Sequence, residues 1–169
     1  MSEPEFHIGP HGRLAYARLE GAGPGLVWLG GFRSDMKGTK ASYLAQWAER
    51  EGRAFLRFDY SGHGASDGIF EDGAISNWRD DALEALDALT EGPQILVGSS
   101  MGAWIAILAA LARPERVAGL ALLAPAADFT EELVWKSLDG ERRERLMREG
   151  RIDLAQGLAG EPAVITSRL

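Results

Sequence analysis

Ser100 is the residue of this chain best placed to do chemistry, because Gly98, Ser100 and Gly102 spell G-x-S-x-G within Gly98-Ser99-Ser100-Met101-Gly102. In that pattern, the nucleophile elbow, a strand turns sharply into a helix and the serine hydroxyl stands clear of the sheet. The glycines have a steric role. A side chain at Gly98 or Gly102 would clash where strand and helix cross, and only a tight turn leaves the serine at a helix N-terminus, where backbone N–H groups can hold an oxyanion. Ser99, at the variable position, is the competing hydroxyl. An ordinary Gly/Ser turn would read the same way locally. A phosphate loop would not, since neither G-x-G-x-x-G nor G-x-x-x-x-G-K-[ST] occurs here or around Gly31 to Lys40.

A serine hydroxyl is a weak nucleophile until a base removes its proton and an acid orients that base. The histidines are His7, His11 and His63, all preceding Ser100. His63 follows a strand within a Gly-rich turn and is the one candidate base, against the plainer reading of a turn residue. His7 and His11 flank an N-terminal hairpin, where a surface position is the default. Asp128 is a candidate acid and Asp153 a weaker one, whereas Asp59 fits the organisation of its own turn better than chemistry.

The elements that must position these groups follow from hydrophobic pattern. Phe6 to Ile8 and Leu14 to Leu19 form an antiparallel hairpin about Gly9-Pro10-His11-Gly12. Leu26 to Leu29 is a short continuous apolar run of the kind buried on both faces, Gln94 to Val97 and Val117 to Leu123 read as buried strands, and Ala54 to Phe58 as a further strand. Between them lie helical patterns: Tyr43, Leu44, Trp47 and Ala48; then Trp78, Ala82, Leu86 and Leu89, with Asp80, Asp81, Glu84 and Asp87 largely on the other faces; then Ala103 to Ala112. Alternation of strand and helix predicts an α/β fold, a mostly parallel sheet with helices on both faces. Beyond Asp128, Leu133, Val134, Trp135 and Leu138 suggest a short amphipathic helix, and Glu141 to Glu149 a solvated one. Residues 128–160 are therefore a cap over the site or a peripheral helical excursion within a single domain, 1–169.

Composition narrows the function classes. With 46% apolar residues the chain can build one core, and a net charge of -7 argues against nucleic acid or an anionic membrane as partner. There is no cysteine, so no thiolate metal site or thiol nucleophile. The stretch Ile95 to Ala112 is broken by Gly-Ser-Ser-Met-Gly, which argues against membrane insertion. The acidic start Met-Ser-Glu-Pro-Glu-Phe-His lacks the basic, apolar character of a leader, so the expected location is cytoplasmic.

Taken together, these residues resemble the α/β-hydrolase superfamily over essentially the whole chain. Leu29-Gly30-Gly31-Phe32 is similar to that superfamily's loop after the third strand, with Gly30 in place of the usual histidine, and Asp59-Tyr60-Ser61-Gly62-His63-Gly64-Ala65-Ser66 to its D-x-x-G-x-G-x-S segment. More narrowly, residues 31–41, 57–62 and 92–102 resemble the mitochondrial abhydrolase-domain palmitoyl-protein thioesterase family and its bacterial relatives. The resemblance implies a serine hydrolase of acyl esters or thioesters with no metal or organic cofactor. Its substrate would be a small-molecule or acylated one, and oligomeric state stays open. By the same match, the backbone N–H groups of Phe32 and Met101 would form the oxyanion hole. The superfamily's chain order is Ser, then acid, then His, and no histidine follows Ser100. The expectation is a C-terminally truncated fold lacking about 60 residues, two strand–helix units; Pro162 to Leu169 then reads as the entry to another helix, and the fragment alone as inactive. The alternatives are a non-catalytic hydrolase-like binding module and, more remotely, a doubly wound nucleotide binder.

Overall fold

The computed structural model describes residues 3–154 and 163–169. Eight strands and four helices follow in chain order: β1 (Glu5–Gly9), β2 (Gly12–Leu19), β3 (Ala22–Leu29), α1 (Thr39–Arg50), β4 (Arg53–Phe58), α2 (Ile75–Leu89), β5 (Gln94–Ser99), α3 (Met101–Ala112), β6 (Val117–Leu123), α4 (Gly140–Glu149), β7 (Arg151–Leu154) and β8 (Ala163–Thr166). The first six strands make one sheet in the order β1-β2-β4-β3-β5-β6. The β1–β2 and β2–β4 pairs are antiparallel, and β4, β3, β5 and β6 run parallel. This is the expected α/β-hydrolase sheet with its N-terminal hairpin.

Side-chain alternation along the parallel strands builds two cores. Leu26, Trp28, Phe55 and Val97 pack with Ala41 and Ala48 of α1 on one face. Val27, Leu29, Leu56, Phe58 and Leu96 pack with Trp78 and Leu86 of α2 and Ile105 and Ala109 of α3 on the other. Each of β3, β4 and β5 therefore carries apolar residues at both parities, Arg57 of β4 being the buried polar exception among the core positions. From β3 the chain crosses to β4 on one side and then returns to β5 on the other. The order reverses between β3 and β5, and in open sheets of this class the crevice at the carboxyl ends of such a pair is where ligands bind.

Two expectations are corrected here. Asp81 does not join the outer face of α2: it is fully buried and accepts hydrogen bonds from the Ser61 N–H at 2.8 Å and the Ser61 hydroxyl at 2.6 Å. Those two donors compensate a carboxyl that the helix carries into the core. Residues 163–169 do not begin a helix; β8 pairs antiparallel with β7, Ile152 facing Ile165. Val164, Ile165 and Thr166 are consecutive β-branched residues that suit a pleated strand better than a helical turn.

The segment after β6 contains one wide π turn at Thr130–Val134, a short 3-10 turn at Trp135–Ser137 and α4. The Asp139 side chain caps α4 by accepting the Arg142 N–H at 2.8 Å, and Gly150 closes it at φ +74°. Val134, Leu138, Leu146, Ile152 and Ile165 join the core of α2 and α3. The expected excursion, residues 128–160, lies partly outside the described residues. The expectation that Val117 to Leu123 is buried is also corrected: β6 is the outermost strand of its sheet, with Leu120, Leu122 and Leu123 exposed. Among the described residues, no helix is long and apolar enough to cross a membrane.

Candidate active site

Three parallel strands deliver three loops to one place. Leu29 pairs with Gly98 and Ser99 with Leu123, so the chain leaving β3, β5 and β6 emerges side by side at the carboxyl edge. Ser100 sits between β5 and α3 at φ +55° and ψ -118°, its side chain exposed and making no capping hydrogen bond to the helix. Its N–H donates to the Leu123 carbonyl at 2.9 Å, and its carbonyl accepts from Ala103 at 3.0 Å and Ala126 at 3.3 Å. The peptide is thus held on both sides while the hydroxyl points free of the helix N-terminus, the positive end of its dipole. Ser99, by contrast, is buried in the sheet.

The flanking glycines are sterically required. A Cβ at Gly98 would stand 2.5 Å from the Gly102 carbonyl oxygen and 2.6 Å from the Ala103 Cα. A Cβ at Gly102 would overlap the carbonyl oxygens of Leu29 and Gly30. Real Cβ atoms do not come so close, so α3 can start directly off β5 and rest on the end of β3 only without side chains at Gly98 and Gly102 respectively.

The loop after β3 lies against the serine: a Cβ built on Gly31 would be 3.6 Å from the Ser100 Cβ and 3.3 Å from the Ser99 carbonyl oxygen. The Ser34 N–H bonds back to the Gly31 carbonyl at 3.0 Å, and Arg33 has φ +58°. That closes a type II turn with Phe32 at its second position, whose N–H takes no part in the turn's own hydrogen bond. Met101 is the first residue of α3, where an N–H has no acceptor one turn back. Phe32 thus follows the glycine that lies against Ser100, and Met101 follows Ser100 itself in the chain.

The far end of this loop is anchored by residues that spacing alone does not single out. The Met36 N–H donates to Asp59 Oδ1 at 2.6 Å, and the Met36 carbonyl accepts from Arg57 Nη1 at 3.0 Å. Asp59 Oδ2 accepts the Ala65 N–H at 2.9 Å. Burial raises the Asp59 carboxyl above its ordinary pKa, against the pull of these two N–H donors. Phe32 itself is boxed by edge-to-face rings: Phe70 at 4.9 Å, Phe129 at 5.8 Å and Trp78 at 6.1 Å between centroids. Arg33 lies 4.8 Å above Phe70 and 3.5 Å from Glu71, a half-exposed pair of little energetic weight.

Each histidine is engaged elsewhere. His7 Nε2 meets Glu84 at 2.7 Å, and His11 Nε2 meets Asn77 at 3.3 Å. His63 is buried, with Nδ1 at 3.2 Å from the Ser61 carbonyl and its ring packed against Tyr60, Phe70 and Trp78. Burial pushes its pKa down, and the nearby Arg33 charge adds to that. Among the described residues none of the three shares a hydrogen bond with Ser100. Asp128 is exposed at φ +51°, its carbonyl accepting the Glu131 and Glu132 N–H groups at 3.1 and 2.8 Å. Asp153 lies in β7, 3.5 Å from Arg151. Among the described residues no group of three or more acidic or histidine side chains is placed to hold a metal ion.

Residues 28–165 match the family model Hydrolase_4, described as serine aminopeptidase, S33. The mouse protein named palmitoyl-protein thioesterase ABHD10, mitochondrial, is 50% identical over 115 residues, which are 68% of this chain and 39% of that protein. The chain thus matches well under two thirds of its curated relatives' length. The solved structure of mouse alpha/beta hydrolase domain-containing protein 10 superimposes with a TM-score of 0.83 at 39% identity, over 92% of this chain and 62% of that one. A protein from Agrobacterium vitis S4, described only as a candidate hydrolase, superimposes with a TM-score of 0.88 at 37% identity, over 99% of this chain and 70% of that one. The relatives at 49–50% identity all carry a mitochondrial name, which overturns the expected cytoplasmic location. Compartment is set by leaders that import machinery reads, and the composition of a folded domain is a poor guide to it.

Proposed function

The chain belongs to the Hydrolase_4 family, and on that premise we propose that it carries the nucleophile and oxyanion half of a serine hydrolase of acyl esters or thioesters. The observation that carries this reading is the exposed Ser100 hydroxyl at φ +55° at the start of α3, with the Phe32 turn against it. Ser100 Oγ attacks the acyl carbonyl carbon while its proton passes to a base. The carbonyl oxygen becomes an oxyanion between the Phe32 and Met101 N–H groups. Collapse breaks the C–O or C–S bond, the alcohol or thiol leaves with that proton, and water then releases the acid from the acyl-enzyme. One such donor is typically worth about two to three powers of ten in rate.

The base and its acid belong, in this reading, to the part of the relatives that the chain does not span. The histidines present are each engaged away from Ser100, and Asp128 is the acid candidate within the chain. Relatives named palmitoyl-protein thioesterases support a long-chain acyl thioester as the substrate class. Fluorophosphonate labelling of the full-length protein and of its Ser100→Ala variant tests the assignment. Loss of label in the variant is expected; equal labelling removes Ser100 from the mechanism.

A further inference from the structure

We infer that the turn from Leu123 to Phe129 is a brace that fixes the Phe32 amide relative to Ser100, with Phe129 as its positioning residue. The inference rests on the serine hydrolase reading for its chemistry and on separate contacts for its geometry. At one end of the turn, the Leu123 carbonyl accepts the Ser100 N–H at 2.9 Å and the Ala126 N–H donates to the Ser100 carbonyl at 3.3 Å. At the other end, the Phe129 ring, 2% exposed, stands edge-on to Phe32 at 5.8 Å and to Trp104 of α3 at 5.9 Å. One seven-residue segment therefore touches the backbone of the serine and the side chain of the residue that presents the facing amide.

Backbone strain marks the same segment. Among the described residues, the non-glycine positions with positive φ are Arg33, Ser100, Ala124 and Asp128. Arg33 follows Phe32, Ser100 is the serine, and Ala124 and Asp128 bound the turn. Such conformations persist only where surrounding structure over-determines them, and they concentrate at sites whose geometry matters. The Glu131 and Glu132 N–H groups, both on the Asp128 carbonyl, hold the turn from its far side. Phe70 and Trp78 close the other sides of the Phe32 ring. Removing the Phe129 ring would take away one of the three rings packed around Phe32 and leave that side of it less constrained.

The test compares Phe129→Ala, Phe129→Leu and Phe129→Tyr in the full-length protein, by the saturable kinetics of fluorophosphonate labelling and by amide exchange at Phe32. The expected result for Phe129→Ala is a maximal labelling rate about 100-fold lower with half-saturation unchanged, together with faster Phe32 exchange. Phe129→Tyr, which keeps the ring, restores most of the rate. Phe129→Leu keeps much of the bulk and stands in if the alanine variant does not fold; loss of its ring contact should also slow labelling. Rates and exchange at the wild-type level in folded Phe129→Leu or Phe129→Ala would overturn the brace. If the wild-type protein labels no better than Ser100→Ala, the serine hydrolase reading fails, and Phe32 exchange still decides the brace: acceleration supports it and no change refutes it.

Discussion

Replacing Ser100 by glycine should make the protein more stable while removing its nucleophile. Ser100 holds φ +55° and ψ -118° with its side chain exposed, so the substitution loses almost no packing. A non-glycine residue in such a region costs about 1–3 kcal/mol, and glycine adopts it freely. Against that relief stands the larger unfolded-state freedom of glycine, about 0.4–1 kcal/mol. The net expectation is a gain of about 1 kcal/mol, or about 2–4 °C in Tm for a chain of this size. Ser100→Ala is the control, because it removes the same hydroxyl and keeps the Cβ that makes the conformation costly; it should lie within about 0.5 kcal/mol of wild type. Urea unfolding and calorimetry of the three proteins, at one pH and one concentration, give the comparison. A glycine variant no more stable than the alanine variant would show that the backbone at Ser100 is relaxed, and the argument from a strained serine would fall.

Asp59→Ala should leave the buried Met36 N–H and the Ala65 N–H without their acceptor, at about 1–3 kcal/mol for each group that water cannot reach; Asp59→Asn, which keeps one carbonyl oxygen, should lose less, and urea midpoints check the order. His63 gives a pH dependence of definite sign. Its folded pKa lies below the ordinary 6.5 because burial disfavours the imidazolium, so its contribution is fully present above about 6.5 and is lost as pH falls from there through the folded pKa. From pH 7.5 to pH 5 the wild type should lose melting temperature relative to His63→Phe, whichever of the two is the more stable at pH 7.5, and a wild type that gains on the variant on acidification would contradict the sign.

The local features of this chain were legible in its residues. Gly98, Ser100 and Gly102 specify the turn because the steric demand at each arises within a few residues of it, and the apolar runs at β3 and β5 announced buried strands, whereas Val117 to Leu123, read the same way, is a largely exposed edge because no further strand or helix covers it among the described residues. The resemblance carried by residues 31–41, 57–62 and 92–102 led to the hydrolase family that the comparison with known proteins then established. Other features could not be read. Asp81 counted as a solvated helix residue because its compensation comes from Ser61, twenty positions away and on another element. Residues 163–169 were taken for a helix start because their partner strand, around Ile152, carries no strong signal of its own. The mitochondrial names of the relatives concern an address outside the physics of folding.

Residue order alone determined that a serine would stand at a glycine-flanked corner, since that conformation is decided by atoms close along the chain. The packed structure decided what surrounds the corner. Gly31 reaches Ser100 because β3 and β5 are neighbours in register, and Phe129 reaches Phe32 because β6 ends beside them. Contacts of that kind join positions 30 to 100 residues apart, and they exist only once strand order and register have brought those positions together.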